Sequence, residues 1–202
     1  PMKLTIQHLQ RIHGHSTEKF DEYFKIATNT LIEQIDNLSR IAGTFSQFAR
    51  LPETELKPLD CAARLHSAVE LFRNNSHGIE LIYEGKTSGI NVMGDPEQLT
   101  RMFNNILRNA VQSIPSERKG IIHVRIFVVE QQVAIHINDN GIGISEHDKP
   151  NIFKPNFTTK SSGMGLGLSI SKAIAENTGG SIRFETEHEK GTTFFIYLPI
   201  LL

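Results

Sequence analysis

The hydrophobic period of this chain changes once, and the change divides what its two parts can fold into. From Phe20 to Ala49 the apolar residues fall at Phe20, Phe24, Ala27, Leu31, Ile35, Leu38, Ala42, Phe45 and Ala49, in steps of four and three. That spacing lays one narrow stripe along a helix, the seam of a coiled coil or helical bundle. A shorter helix is expected over 2–13, with Met2, Ile6, Leu9 and Ile12 on one side. Gly14-His15-Ser16-Thr17 reads as the turn between the two. Two helices of unequal length cannot bury such a stripe alone. The expected completion is a four-helix bundle formed by two chains through residues 2–50, and the alternative is a helix lying on the domain that follows.

Leu51-Pro52 ends the long helix and Pro58 marks a second break, so 51–58 reads as a linker or hinge. Beyond it, helical and alternating segments interleave. Helices are expected over about 60–74, 95–114 and 165–178, and strands over about 79–84, 90–93, 121–129, 132–138, 180–187 and 192–198. Ile182 and Phe184, then Phe194, Ile196 and Leu198, show the two-residue period of half-buried strands. The class is therefore α+β, a two-layer α/β sandwich whose mixed, largely antiparallel sheet packs on helices. A helical hairpin over 1–52 precedes a domain over 57–202.

With 21 basic and 22 acidic residues the chain is close to neutral. No block of like charge marks a nucleic-acid or membrane-surface footprint. A single cysteine, Cys61, rules out an intramolecular disulfide. The apolar runs fall well short of the roughly 20 residues that span a bilayer. No signal peptide precedes the first helix, and the opening Pro1 reads as the start of a piece cut from something longer.

Four segments of the second domain carry chemistry, and their order matters more than any one of them. Asn105 and Asn109 lie four apart on the 95–114 helix, so both amides project from one face. An amide oxygen there, with triphosphate oxygens and waters, is a sensible shell for Mg2+. Two surface asparagines are the plain alternative. Asp139 ends the run Val133 to Asn138, where its carboxylate can accept a hydrogen bond from adenine's exocyclic amino group. Gly141 and Gly143, with Ile144 after them, let the backbone approach a flat base. Alone, Asp139-Asn140-Gly141 would be a turn. Thr158, Thr159 and Lys160 precede a glycine run, Gly163-Met164-Gly165-Leu166-Gly167-Leu168, which fails both the dinucleotide and the Walker spacings. It fits a hinged loop that delivers N–H groups and a helix N-terminus to phosphate, with Lys160 as a point charge.

Taken in order, these segments resemble the N, G1, F and G2 boxes of the catalytic domain of bacterial sensor histidine kinases. That domain shares its superfamily with DNA gyrase B, Hsp90 and MutL. The resemblance runs from residue 1 to about 199. It implies an ATP and Mg2+ site in which Asn109 is the metal ligand and Asp139 the adenine acceptor. Gly141, Gly143 and Ile144 would line the base, and Phe153 and Phe157 would anchor a lid. Thr158, Thr159, Lys160 and the stretch from Gly163 to Leu168 would close over the phosphates. Thr193 looks like the sheet residue under the adenine. Asn105 and Lys160 would be the catalytic pair. The helix pair looks like the dimerisation and phosphotransfer hairpin, and residues 2–9 are similar to nitrogen-regulation-type kinases. A homodimer, a response-regulator receiver partner and a cytoplasmic location are implied, with the parent's membrane anchoring left open.

The chain departs from the pattern at three places. Asn156 stands where the family usually has an aromatic, which implies a looser lid anchor. The phosphoacceptor box is missing: none of His8, His13 or His15 has the acidic residue and following Pro, so the acceptor is expected upstream of Pro1. The ATPase branches carry a Glu four residues before the metal-binding Asn, and here that position is Asn105, which takes no proton at neutral pH. Hydrolysis is disfavoured, and phosphoryl transfer to an imidazole is favoured. A non-catalytic nucleotide-binding dimerisation module is the second reading.

Overall fold

The computed structural model describes residues 6–7, 24–35, 55–76, 78–160 and 164–201. The predicted turn at Gly14, most of the helix over 2–13, much of the seam, the three N-terminal histidines and Gly163 lie outside the described residues. The chain divides into two compact units, Pro1–Glu53 and Thr54–Leu202. In the first, residues 24–35 form helix α1. Of its seam residues Phe24 and Ile35 are exposed, while Ala27 and Leu31 are half-buried.

Among the described residues, the second unit holds three α-helices, one short 3-10 helix and seven strands. Helices α2 (Cys61–Asn75), α3 (Pro96–Ser113) and α4 (Gly167–Asn177) are interleaved with strands β1 (Lys57–Asp60), β2 (Ile79–Gly85), β3 (Asn91–Gly94), β4 (Gly120–Val129), β5 (Gln132–Asp139), β6 (Ser181–Glu187) and β7 (Gly191–Pro199). Five strands make one sheet in the order β2-β4-β5-β7-β6, and only the β2–β4 pairing is parallel. The helices cover one face.

The linker read at 51–58 needs a correction at its end. Lys57–Asp60 is a strand, antiparallel to β3, with Pro58 opposite Met93. A two-stranded ribbon has only edge strands, where a proline's missing N–H costs nothing.

Local chemistry starts the helices where they start. Asp95 caps α3, accepting from Glu97 N at 2.9 Å and Gln98 N at 3.1 Å, with Pro96 in the first turn. Asp60 caps α2 through Ala63 N at 3.0 Å. The apolar stripe of α3, namely Leu99, Met102, Phe103, Ile106 and Leu107, is fully buried on the sheet. Each such side chain contributes roughly 1.5–3 kcal/mol of transfer free energy. Facing it are Ile122 and Val124 of β4, Ile135 and Ile137 of β5, and Phe194 and Ile196 of β7. Burying this stripe fixes the rotation of α3, and with it the direction of every polar side chain on the helix.

Candidate functional site

Asn105 and Asn109 sit on the flank of α3 that the apolar stripe leaves half-buried. The Asn105 amide donates to the Gly167 carbonyl at 3.3 Å, tying α3 to the first residue of α4. The Asn109 amide has no hydrogen-bond partner among the described residues. A half-buried amide without a partner suits an oxygen ligand held for a bound group. It fits Mg2+ with its phosphate and water shell.

Asp139 is the last residue of β5 and only 2% exposed. Its Oδ1 accepts the Gly141 N–H at 2.9 Å and the Ser113 hydroxyl at 2.9 Å. Burial pushes its carboxyl above the ordinary carboxylate range. The Gly141 and Ser113 donors, the Thr192 backbone and the charge of Lys160 oppose that rise. Gly141 is a glycine because any Cβ there would overlap the Ser113 hydroxyl and sit 2.7 Å from Asp139 Oδ1. Gly143 and Ile144 continue the loop, and the Ile144 N–H donates to Thr186 Oγ1 at 2.9 Å.

The lid segment packs at its two ends. Phe153 meets Phe184 edge-on at 5.8 Å, and Phe157 is half-buried against the core. Between them Asn156 takes a φ of 64°, a left-handed conformation that asparagine tolerates and an aromatic does not favour. Gly165, at φ 64°, lies where a Cβ would overlap the Phe157 carbonyl. Thr158 and Thr159 are exposed, and Thr158 Oγ1 accepts the Lys160 N–H at 3.1 Å. Met164, Leu166 and Leu168 are half-buried. Leu166 caps α4 without a side-chain hydrogen bond, which leaves first-turn N–H groups for an anion.

Lys160 is half-buried. Its ammonium donates to Gln112 Oε1 at 3.0 Å, and its charge acts on Asp139. Burial lowers its pKa and Asp139 opposes the shift. It therefore stands at the Asp139 end of the site.

Thr193 is not brought to the site. Its hydroxyl accepts from the Asn138 amide at 2.8 Å on the opposite face of the sheet. The residue on Asp139's face is Thr192, 4% exposed and directly across the ladder from Asp139, with its hydroxyl 3.0 Å from that of Thr186. The signal was available: the alternation that buries Phe194, Ile196 and Leu198 puts 192, not 193, on their side. Ser113 and Gln112 had no such signal, since their roles depend on partners 26 and 48 residues away.

The family model described as histidine kinase-, DNA gyrase B- and HSP90-like ATPase matches residues 94–202, more than half of the chain. The chain belongs to this family. Among curated relatives, the sensor histidine kinase ZraS of Escherichia coli strain K12 is 30% identical over 172 residues, which cover 84% of this chain and 37% of that protein. The nitrogen regulation protein NtrY of Azorhizobium caulinodans is 28% identical, covering 94% and 25%. The chain thus spans about a third or less of the length of these relatives. The solved structure of the mycobacterial sensor histidine kinase MprB superimposes with a TM-score of 0.64 at 27% identity, covering 72% of this chain and 97% of that one. The second unit is an ATP-binding domain of the histidine kinase type. No helix among the described residues is long and apolar enough to cross a membrane.

Proposed function

We propose that this chain is the kinase core of a sensor histidine kinase, which binds Mg·ATP and passes the γ-phosphoryl to a histidine imidazole, then to a response-regulator aspartate. One observation carries the reading: a buried carboxylate, Asp139, ends a strand and is bonded to Ser113, about one turn along α3 from the unpartnered amide of Asn109. Adenine's amino group would bond the Asp139 carboxylate over Gly141, Gly143 and Ile144. Asn109 would supply an oxygen to Mg2+, whose contribution is charge neutralisation between phosphates. Thr158, Thr159, the residues from Gly163 to Leu168 and the α4 N-terminus would meet the phosphates. Lys160 would reach them when nucleotide separates it from Asp139. Transfer of this kind is mostly positioning and charge stabilisation. Asn105 cannot act as a base for water, so the site holds ATP for an external nucleophile. An ATPase of the Hsp90 kind is therefore disfavoured.

The histidine acceptor, the homodimer through residues 2–50, the receiver-domain partner and a cytoplasmic location belong to the same proposal. The dimer is supported by the four-and-three seam and by the exposure of Ile35 on it. Labelled ATP with magnesium on this chain, and on the chain extended upstream, tests the activity. Acid-labile, alkali-stable label on the extended chain is expected. Tight ATP binding with no label on either chain would replace the kinase by a nucleotide-gated dimerisation module.

A further inference from the structure

The base-reading loop is held by a residue that no motif contains. Arg118, in the turn between α3 and β4, donates through Nη1 to the carbonyls of Asn140 at 2.7 Å, Gly141 at 2.7 Å and Glu189 at 3.2 Å. Its Nη2 meets the Glu189 carboxylate at 3.1 Å. One guanidinium therefore joins the start of β4, the loop after β5 and the β6–β7 turn. A planar fork spreads these contacts over two nitrogens held in one rigid plane, whereas an ammonium has three donors on a single nitrogen.

What this does follows from peptide geometry. A trans peptide carries its C=O and N–H on opposite edges of one rigid plane. The Asn140 carbonyl held by Arg118 and the Gly141 N–H that donates to Asp139 Oδ1 belong to the same plane. The next plane is pinned in the same way: Arg118 holds the Gly141 carbonyl, and the Ile142 N–H donates to the Ser113 carbonyl at 3.0 Å. Releasing either carbonyl lets its plane turn. The first plane would then swing the Gly141 N–H off Asp139 and leave the carboxylate to the Ser113 hydroxyl and the Thr192 backbone, one donor short. Glu189 completes the brace, with its N–H on the Ile142 carbonyl at 2.8 Å and its own φ at 63°.

We propose that Arg118 is a positioning residue that sets how strictly the site discriminates a 6-amino purine from a 6-oxo purine. It does so by fixing the Asp139 carboxylate through the Asn140–Gly141 peptide, with Glu189 holding Arg118 in place. This rests on the reading of Asp139 as the base acceptor. A 6-amino group donates to a fixed carboxylate, whereas a 6-oxo group meets its lone pairs. A carboxylate less tightly fixed loses part of that preference. A general loss of loop structure would weaken both nucleotides alike, so the ratio of affinities, not the affinity, reports positioning.

The test is titration calorimetry of the chain with ATP and with ITP in magnesium, for the wild type, Arg118→Ala, Arg118→Lys, Glu189→Gln and Asp139→Asn. The ATP:ITP affinity ratio is expected to fall about tenfold in Arg118→Ala, the scale of one charge-assisted hydrogen bond. Arg118→Lys should fall between that variant and the wild type, and Glu189→Gln should fall by less. A ratio unchanged in both Arg118 variants, or equal losses for the two nucleotides, overturns the positioning role. Should Arg118→Ala fail to fold, the intermediate ratio of Arg118→Lys decides. If Asp139→Asn keeps the wild-type ratio, the base assignment itself fails, and the proposal fails with it. If Asp139→Asn abolishes the ratio while the Arg118 variants leave it intact, only Arg118's role is lost.

Discussion

At Asp139 burial and hydrogen bonding act on one carboxylate in opposite directions, and burial prevails. The folded state then holds the proton more tightly than the unfolded chain. This group's contribution to stability is greatest below the ordinary value of 3.8 and declines as pH rises through the window up to the raised value. Asp139→Asn removes that cost and keeps an acceptor for Gly141 and Ser113. The variant's unfolding free energy, relative to wild type, should therefore grow with pH across the window and then level, as denaturant titrations at a series of pH values would show. Its affinity for ATP should drop about tenfold to hundredfold, the scale of a hydrogen bond to a charged group. Unchanged affinity would remove the adenine assignment. Thr192 and Thr193 offer a sharper contrast, since they are neighbours on opposite faces. Thr192→Val breaks the hydroxyl chain to Thr186 and Ile144, and should cost about 1 kcal/mol and weaken nucleotide binding. Thr193→Val, which loses only the Asn138 bond, should leave binding as it was; the reverse order in a paired titration would restore Thr193 to the site.

Among the strands, one cross-sheet row shows how an element can carry a local cost. Glu84, Arg125, His136, Phe195 and Arg183 stand side by side across β2, β4, β5, β7 and β6. His136 lies edge-on to Phe127 at 4.9 Å and to Phe195 at 4.7 Å, with Arg183 over the Phe195 ring at 4.6 Å. Its Nε2 is buried without a hydrogen-bond partner. Burial, then Arg125 and Arg183, lower the imidazole pKa below 6.5. The fold thus favours the neutral imidazole, and its contribution is present above 6.5 and lost as pH falls toward the lowered value. His136→Phe keeps the ring stack and removes the orphan nitrogen. It should stabilise the sheet by about 1 kcal/mol at neutral pH and flatten the acid side of the stability profile. A destabilised variant in thermal denaturation at pH 7 would mean that the nitrogen is satisfied in solution.

For the molecule as a whole, the two units should separate in behaviour. Analytical ultracentrifugation is expected to find the 202-residue chain dimeric and the Thr54–Leu202 unit monomeric, with equal ATP affinity; a monomeric full chain would remove the bundle. The sandwich was legible because its causes are local, such as the two-residue period of Phe194, Ile196 and Leu198, and the Asp95 cap that starts α3 is equally local, reaching only two and three residues ahead. The turn after β5 was legible for the same reason, since the bond from the Gly141 N–H to Asp139 joins residues two apart. Thr193 was misplaced where a motif match overrode the strand parity that names Thr192. The strand at Lys57–Asp60 could not be read locally, because Pro58 looks like a break until β3 supplies an edge that tolerates it. Nor could Arg118 be found, because what it holds lies 22, 23 and 71 residues further along the chain. The sequence alone determines where chains turn, cap and bury a stripe. Which distant carbonyls one guanidinium meets is decided only when the sheet and α3 have packed, because that hydrogen bonding follows from spatial register and not from spacing.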